Sequence, residues 1–510
     1  MLAHAFAVRR CLSALFVVAT LGSLGLTASP AGAIVPITPT IPPLENPPRV
    51  FRTFGIVTTD GAAHLNDAAR AVAALGTDTV YAAGFLTDSV VFGIEVHRWH
   101  IQKRRPNGVV VWAVNSTFSG EANAVAVAPD GSVVAAGFTT TRNGVDPTFA
   151  VAKWNASGVH QWTAEIAGVD RSGNPRYIGE AKAIALASNG DVAVVGNLLN
   201  ESLDAALTPH DDQDAVVVLL NGSNGAERWR QSIKGTRFAG VDNGAAVAVD
   251  PQDRIIATGS VRNSGSDKDI FVASFTSAGT AWISPRLNIA GSATGDDEAT
   301  AVAVDGLGQI YTTGYRTNLG AAAAHKDFWI GKFAGNGTSL FQRDLAGNVS
   351  GGEDRGLSVR FDSTGNLYAA GFTTNTGSPG SPAPGIASND MTVGKWDAVT
   401  GNALWTQKLD GGANGEDRAR SVAVLGNGDL AIGGFLTSAT TGKDFSMLRY
   451  STAGAQTWLF RRDGTLNQDD NCAAVVFDGL GWAVGAGLMR NGVPLTGPAV
   501  PTLADFAVAI

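Results

Sequence analysis

Cysteine is nearly absent. The chain has two, Cys11 and Cys472, and Cys11 lies in a leading segment that reads as one to be removed. The remainder then has no internal disulfide, even in an oxidising compartment, and its stability must come from a packed core. Basic residues are in deficit, with 37 Lys and Arg against 45 Asp and Glu. Losing Arg9 and Arg10 with the leader leaves 35 against 45, a formal charge of −10. That balance argues against a nucleic-acid partner, which calls for a phosphate-neutralising surface. Past the leader no apolar run is long enough to cross a bilayer. A serine-hydrolase elbow, a His-Glu-x-x-His helix and a phosphate loop are also missing, although a site assembled across several repeats would leave no such contiguous motif.

The leader joins Arg9 and Arg10 to an apolar run, Leu12 to Leu26, and then to Ala31-Gly32-Ala33. This order reads as a signal peptide over 1–33, cleaved after Ala33, and so as a secreted, periplasmic or cell-envelope protein. A retained membrane anchor is the rival reading. Residues 34–48 hold Pro36, Pro39, Pro42, Pro43, Pro47 and Pro48, which favours an extended polyproline-like tether.

The rest is a repeat. A β-branched residue and a glycine twelve positions later recur as Val72/Gly84, Val125/Gly137, Ile184/Gly196, Val247/Gly259, Val302/Gly314, Val359/Gly371, Val422/Gly434 and Val475/Gly487. Each pair encloses two alternating strands around a turn rich in Gly, Asp and Asn, the pattern of a β-hairpin. A third strand follows, often opened by Asp, as at Asp269, Asp327 and Asp444. A fourth begins near Trp112, Trp162, Trp229, Trp282, Phe341, Trp405 or Trp458.

Four antiparallel strands per copy, with copies spaced by about 53 to 63 residues, predict an all-β, eight-bladed β-propeller over 49–510. The last copy stops at its third strand, Asp505 to Ile510, and Arg49 to Thr58 has the look of a spare fourth strand, with Phe51 or Phe54 as its aromatic. Closing the final blade with this N-terminal strand would remove two open sheet edges. A ring of seven with one copy outside is the alternative. The variable connections, such as Leu199 to Asp214 and Thr373 to Asp390, fall between second and third strands. All would emerge on one face, where binding residues are expected.

Stretches such as Gly295 to Tyr315 (GDDEATAVAVDGLGQIYTTGY) and Asp505 to Ile510 (DFAVAI) resemble the secreted bacterial β-propeller repeats, or SBBP repeats, and the related delta-60 repeats. The resemblance spans about residues 49–510. It implies an exported propeller used for binding or scaffolding.

Acidic residues recur before the first strand: Asp296 and Asp297, Glu353 and Asp354, Glu416 and Asp417, Asp469 and Asp470, with Glu121 and Glu180 in similar places. If these strand starts line a channel mouth, their carboxylates would form a ring able to hold Ca²⁺. They would otherwise cap backbone N–H groups or pair with Arg355 and Arg418. The segment Asp397 to Trp405 (DAVTGNALW) resembles the tryptophan-docking repeat of quinoprotein dehydrogenases, and equally suits a turn whose Trp plugs the next blade. In the basic run His97 to Arg105 the two histidines are three apart and on a strand would face opposite ways, a poor metal pair, so the run reads as a solvated strand end and turn in blade 1. Cys472 reads as packing. These residues favour a non-enzymatic, monomeric binding or scaffold module with a glycan or protein partner, and no cofactor is required. The alternative is a quinone- or calcium-dependent enzyme working in the channel.

Overall fold

Among the described residues, alternating apolar positions fold into strands and no helix forms. The computed structural model describes residues 56–60, 66–77, 79–91, 93–140, 146–203, 209–237, 240–263, 267–319, 324–382, 385–465, 468–490 and 505–509. The expected signal peptide, the proline tether, Phe51 and Phe54 lie outside them. Thr53–Ile510 forms one compact unit.

The fifth copy shows the unit. Glu298–Val304, Ile310–Leu319, Ala324–Phe333 and Ser339–Leu345 pair antiparallel in chain order. Copies three, four, six and seven repeat this four-stranded sheet. The first two copies share one seven-stranded sheet, because the 18-residue strand Val110–Val127 is the outer strand of blade 1 and then the innermost strand of blade 2. In the eighth, Asn471–Phe477, Ala483–Met489 and Asp505–Ala509 are completed by Ile56–Thr59. There Ile56 lies opposite Ala509, and Thr59 opposite Phe506. The innermost strands touch their neighbours in sequence, and the first touches the last. The result is a closed, eight-bladed propeller with a mixed final blade.

The core lies between blades. Eight clusters of buried apolar residues each draw on two adjacent blades. In one of them, Trp162 and Phe149 of blade 2 pack with Val192, Val194 and Val218 of blade 3. Each such side chain contributes roughly 1.5–3 kcal/mol by leaving water, so every blade depends on both neighbours. The aromatics on the outer strands, and Trp282 just before the outer strand of blade 4, reach forward. The indole N–H groups of Trp112, Trp162, Trp229, Trp282 and Trp405 donate to Ala156, Gly222, Ser277, Gly335 and Thr452, each on the following blade. The ring of Trp405 lies against Gly454, and Phe341 lies against Gly401 of the DAVTGNALW segment, where a Cβ would collide with it. That segment is therefore a socket for the preceding blade's aromatic.

The repeat's glycine has a steric cause. Each innermost strand carries a one-residue bulge at the same place, and the glycine sits opposite its start, as Gly314 does opposite Ala299. A Cβ on Gly314 would lie far inside van der Waals contact with the Glu298 carbonyl oxygen, and the other seven copies repeat that approach. Replacing Gly314 with Ala is expected to destabilise the fold by about 1–3 kcal/mol through overpacking. Gly306→Ala, where a Cβ meets open space, should stay within ~0.5 kcal/mol of the parent. Urea unfolding of the two variants checks both.

Candidate functional site

The eight acidic residues expected to form one ring divide into two sets. Asp297, Asp354, Asp417 and Asp470 are buried and act as staples. One oxygen of each accepts from the backbone N–H twenty residues on, at the end of the second strand. The other accepts from a glycine six or seven residues back. Asp354 takes Thr374 and Gly347, both at 2.6 Å, and Asp417 takes Gly411 at 2.7 Å and Thr437 at 2.5 Å. Asp242 holds Arg262 and Gly235 in the same manner at 2.6 and 2.8 Å. In blades 2 and 3 the corresponding places belong to Gly120 and Gly179.

The other four carboxylates meet cations. Glu353 pairs with Arg355 at 3.0 Å and Lys326 at 3.5 Å. Glu416 pairs with Arg418 and, at 2.7 Å, with Lys443. Asp469 lies 3.8 Å from Lys443, and Asp296 lies 3.5 Å from Arg262. The eight carboxylates do not converge on a single point.

A different acidic group does converge. Behind each staple stands the Asp that opens the preceding blade's third strand: Asp269 behind Asp297, Asp327 behind Asp354, Asp390 behind Asp417, Asp444 behind Asp470. At the junction of blades 6 and 7, Asp410 joins the pair, and Asp390, Asp410 and Asp417 hold ligand oxygens within 4.8 Å of one another. All three are buried. Their oxygens already accept from protein donors: Ser388 at 2.6 Å and Ser378 on Asp390, Gly412 N–H at 2.6 Å on Asp410, and Gly411 N–H on Asp417. Three carboxylates at this spacing could hold a hard cation or could share protons. Asp410 was not singled out by sequence. The signal available was its place directly after the outer strand Ala403–Leu409, a place that Lys234 takes after Glu227–Ile233 in blade 3. Lys234 pairs there with Asp214 at 2.7 Å.

The innermost bulges form a second belt. Their extra residues are Arg70, Asn123, Lys182, Ala245, Thr300, Leu357, Arg420 and Ala473. Four of them bond forward to the next blade. Arg70 reaches Glu121 at 2.7 Å, Asn123 the Ala181 carbonyl at 3.0 Å, Lys182 Asn243 at 2.6 Å, and Thr300 the Gly356 carbonyl at 2.7 Å. Glu121 and Glu180 thus sit in the belt beside cations, with Glu180 3.4 Å from Lys182.

The basic run His97 to Arg105 ends, as expected, in an exposed turn of blade 1 at Arg105, but it is not solvated along its length: His97 to Arg104 belong to the third strand of blade 1, Ile94–Arg104, in which Trp99, Ile101 and Arg104 are buried. His97 bridges Glu121 at 2.7 Å and Glu95 at 3.1 Å. Burial pulls its pKa down, but the two carboxylates outweigh burial and leave it raised. His100 is buried against Asn115 at 2.6 Å and pushed down to about 4, so the two histidines occupy separate environments. Cys472 is buried and free, its thiol pushed up to about 12 by burial. The connection read as Leu199 to Asp214 is largely a β-arm, Val192–Leu203 paired with Pro209–Leu220, and blade 1 has a similar arm, Thr79–Val91 with Ile94–Arg104. Thr373 to Asp390 also begins and ends in strand.

The staples give the fold a pH dependence. Burial is the main cause that pushes Asp297 and Asp354 up to about 6 and Asp417 and Asp470 up to about 7, with the like charge behind each adding to it. A carboxyl whose folded pKa exceeds its unfolded value of about 3.9 takes up protons on folding. Its contribution is complete below pH ~4 and is lost as pH rises through 6 to 7. The melting temperature is therefore expected to fall between pH 5 and pH 8. Asp417→Asn, which cannot ionise, should flatten that fall in a thermal-melt series.

No family model matches the chain, and no curated protein matches it either. Solved structures do match. The Dos1 propeller aligns with a TM-score of 0.50 at 8% identity, covering 90% of this chain and 95% of that one. A quinohemoprotein alcohol dehydrogenase from Comamonas testosteroni aligns with a TM-score of 0.46 at 10% identity, covering 89% and 76%. A protein of unknown function from Bacteroides caccae aligns at 0.32 and 11% identity, covering 61% and 90%. At such identities the likeness to the Dos1 propeller speaks for the fold alone, and that fold is the β-propeller.

Proposed function

We propose that this chain is an exported propeller of the SBBP type that works as a non-enzymatic binding module, contacting a protein or glycan partner through the face that carries the second-to-third-strand connections. The observation that carries the reading is where the blades differ. Staples, bulges and aromatic sockets recur from blade to blade and are used up in holding the ring together. The connections on this face do not recur. Blades 1 and 3 raise long β-arms there, and the tip of the first arm exposes Val90, Val91 and Ile94, about half open to solvent. Beside the second arm a groove of about 410 Å³ is lined by Gly168, Val169, Pro175, Leu198, Asn200 and Arg230. Exposed apolar side chains at the tip of one arm, and a polar-rimmed groove beside the other, suit a macromolecular partner.

The test is cosedimentation of the purified protein with cell-envelope material from its own source. Saturable binding is expected, and the triple change Val90→Ser, Val91→Ser, Ile94→Ser should weaken it about tenfold or more, since each apolar anchor is worth over 1 kcal/mol when buried. Protease treatment of the envelope separates a protein partner from a glycan. A protein that binds neither fraction, and whose native mass carries a quinone, would replace this reading with the channel enzyme. Added calcium in that mass would lead instead to Asp390, Asp410 and Asp417.

A further inference from the structure

The charges on the innermost strands are not spread evenly. Blades 2, 3 and 5 bring Glu121, Glu180 and Glu298. Blades 6 and 7 bring four arginines and no carboxylate: Arg355 and Arg360 on Arg355–Phe361, Arg418 and Arg420 on Arg418–Val424. Arg355 and Arg418 pair with Glu353 and Glu416. Arg360 and Arg420 have no ion pair among the described residues. Arg360 donates only to the carbonyl of its neighbour Val359, at 2.7 Å, and Arg420 lies over the Phe435 ring at 5.5 Å.

Both side chains are open to solvent, yet protein surrounds them closely enough for desolvation to be the chief cause lowering their pKa values. Exposure inside an enclosing wall is what a channel offers. The strand neighbours agree. At the level of Arg360 the other blades carry Ala73, Ala126, Ala185, Ala248, Ala303, Ala423 and Val476. Of these, only Ala303 and Ala423, on the two flanking strands, are buried, at 8% exposure each. Arg420 also feels Arg418 as a repelling charge, Glu416 as an attracting one and, least of the three, Arg70 of blade 1 as a repelling one; Arg70 is itself paired with Glu121, and blade 8 offers only the small Ala473 at the bulge.

We propose that the central channel binds a small oxyanion at Arg420 on the bulge belt, with Arg360 reaching it from deeper along the adjacent strand. A crowded carboxyl can shed its charge by taking up a proton, as the staples do. A guanidinium cannot, because it stays protonated at any ordinary pH. Two guanidinium groups on adjacent innermost strands with no ion-pair partner among the described residues favour a counter-charge from outside the chain, and the guanidinium fork matches the paired oxygens of a carboxylate, phosphate or sulfate. This site is independent of the loop face.

Isothermal titration calorimetry of the full protein in a low-chloride buffer tests it, with inorganic phosphate, sulfate and acetate as probes. Saturable binding of at least one probe is expected, and which one wins separates a tetrahedral oxyanion from a carboxylate. Arg420→Gln and Arg360→Gln should each weaken it about tenfold or more, the usual worth of a charge-assisted hydrogen bond, while Arg237→Gln, far out on a connecting loop, should leave it unchanged. Should a Gln variant fail to fold, protection of Arg360 and Arg420 from phenylglyoxal by the winning probe, read by peptide mass, gives the same answer on the unmodified chain. Absence of saturable binding, equal affinity in all variants, or no protection at either arginine would overturn the site.

Discussion

No blade of this protein can bury its own faces. Each is a single sheet with apolar side chains on both sides, and a lone sheet of four strands offers nothing to cover either one. The eight interfacial clusters supply the cover, and every blade contributes to two of them. Folding is then a closure problem: the apolar surface is satisfied only when the eighth blade meets the first. Ile56–Thr59 completes that blade, so one short N-terminal strand ties the ends of the chain together and removes the last open edges. The forward-reaching tryptophans and their glycine sockets are the same principle in polar form, since each indole N–H finds its acceptor on the blade it helps to cover.

Closure sets how tightly the inner strands must pack. The bulge lets the innermost strand turn along the axis, and it drives a carbonyl oxygen toward the second strand, where only glycine leaves room. The staple carboxylates answer a related problem. The strand ends beside the bulge have backbone N–H groups that the sheet ladder cannot use, and an aspartate with two accepting oxygens ties together two segments that would otherwise fray. Burial raises its pKa against those two hydrogen bonds, which favour the ionised form.

Much of this was legible in the sequence. The twelve-residue offset from Val302 to Gly314 carried the hairpin, and its eight recurrences carried the architecture, because strand period and turn chemistry are local. The unfinished last copy and the spare N-terminal strand even indicated how the ring closes. The acidic strand starts were visible as a recurring feature, but not their division of labour. The two members of an acidic pair cannot be told apart by residue type alone: Glu353 meets Arg355 and Lys326 while Asp354 accepts from backbone N–H groups, although both stand side by side just before the strand Arg355–Phe361. The basic run from His97 misled for a different reason. Its charges suggested solvent, whereas Gln102 and Arg104 are buried with one another at 2.9 Å, and a guanidinium inside a blade has no sequence signature.

What the repeat conceals is variation at equivalent places. The position after the outer strand is Lys234 in blade 3, where it neutralises Asp214; it is Asp410 in blade 6 and Asp463 in blade 7. One junction is therefore closed by an ammonium and another by a third carboxylate, although backbone geometry is shared. The inner strands show the converse, with arginine at Arg360 where six other blades carry alanine. A ring built from near-identical units can hold such exceptions because the interfacial clusters and staples already fix the backbone, and the leftover side chains at the channel and the blade junctions are free to carry charge. Function in this architecture should be sought where one copy departs from the others, since what all copies share is already engaged in keeping the ring shut.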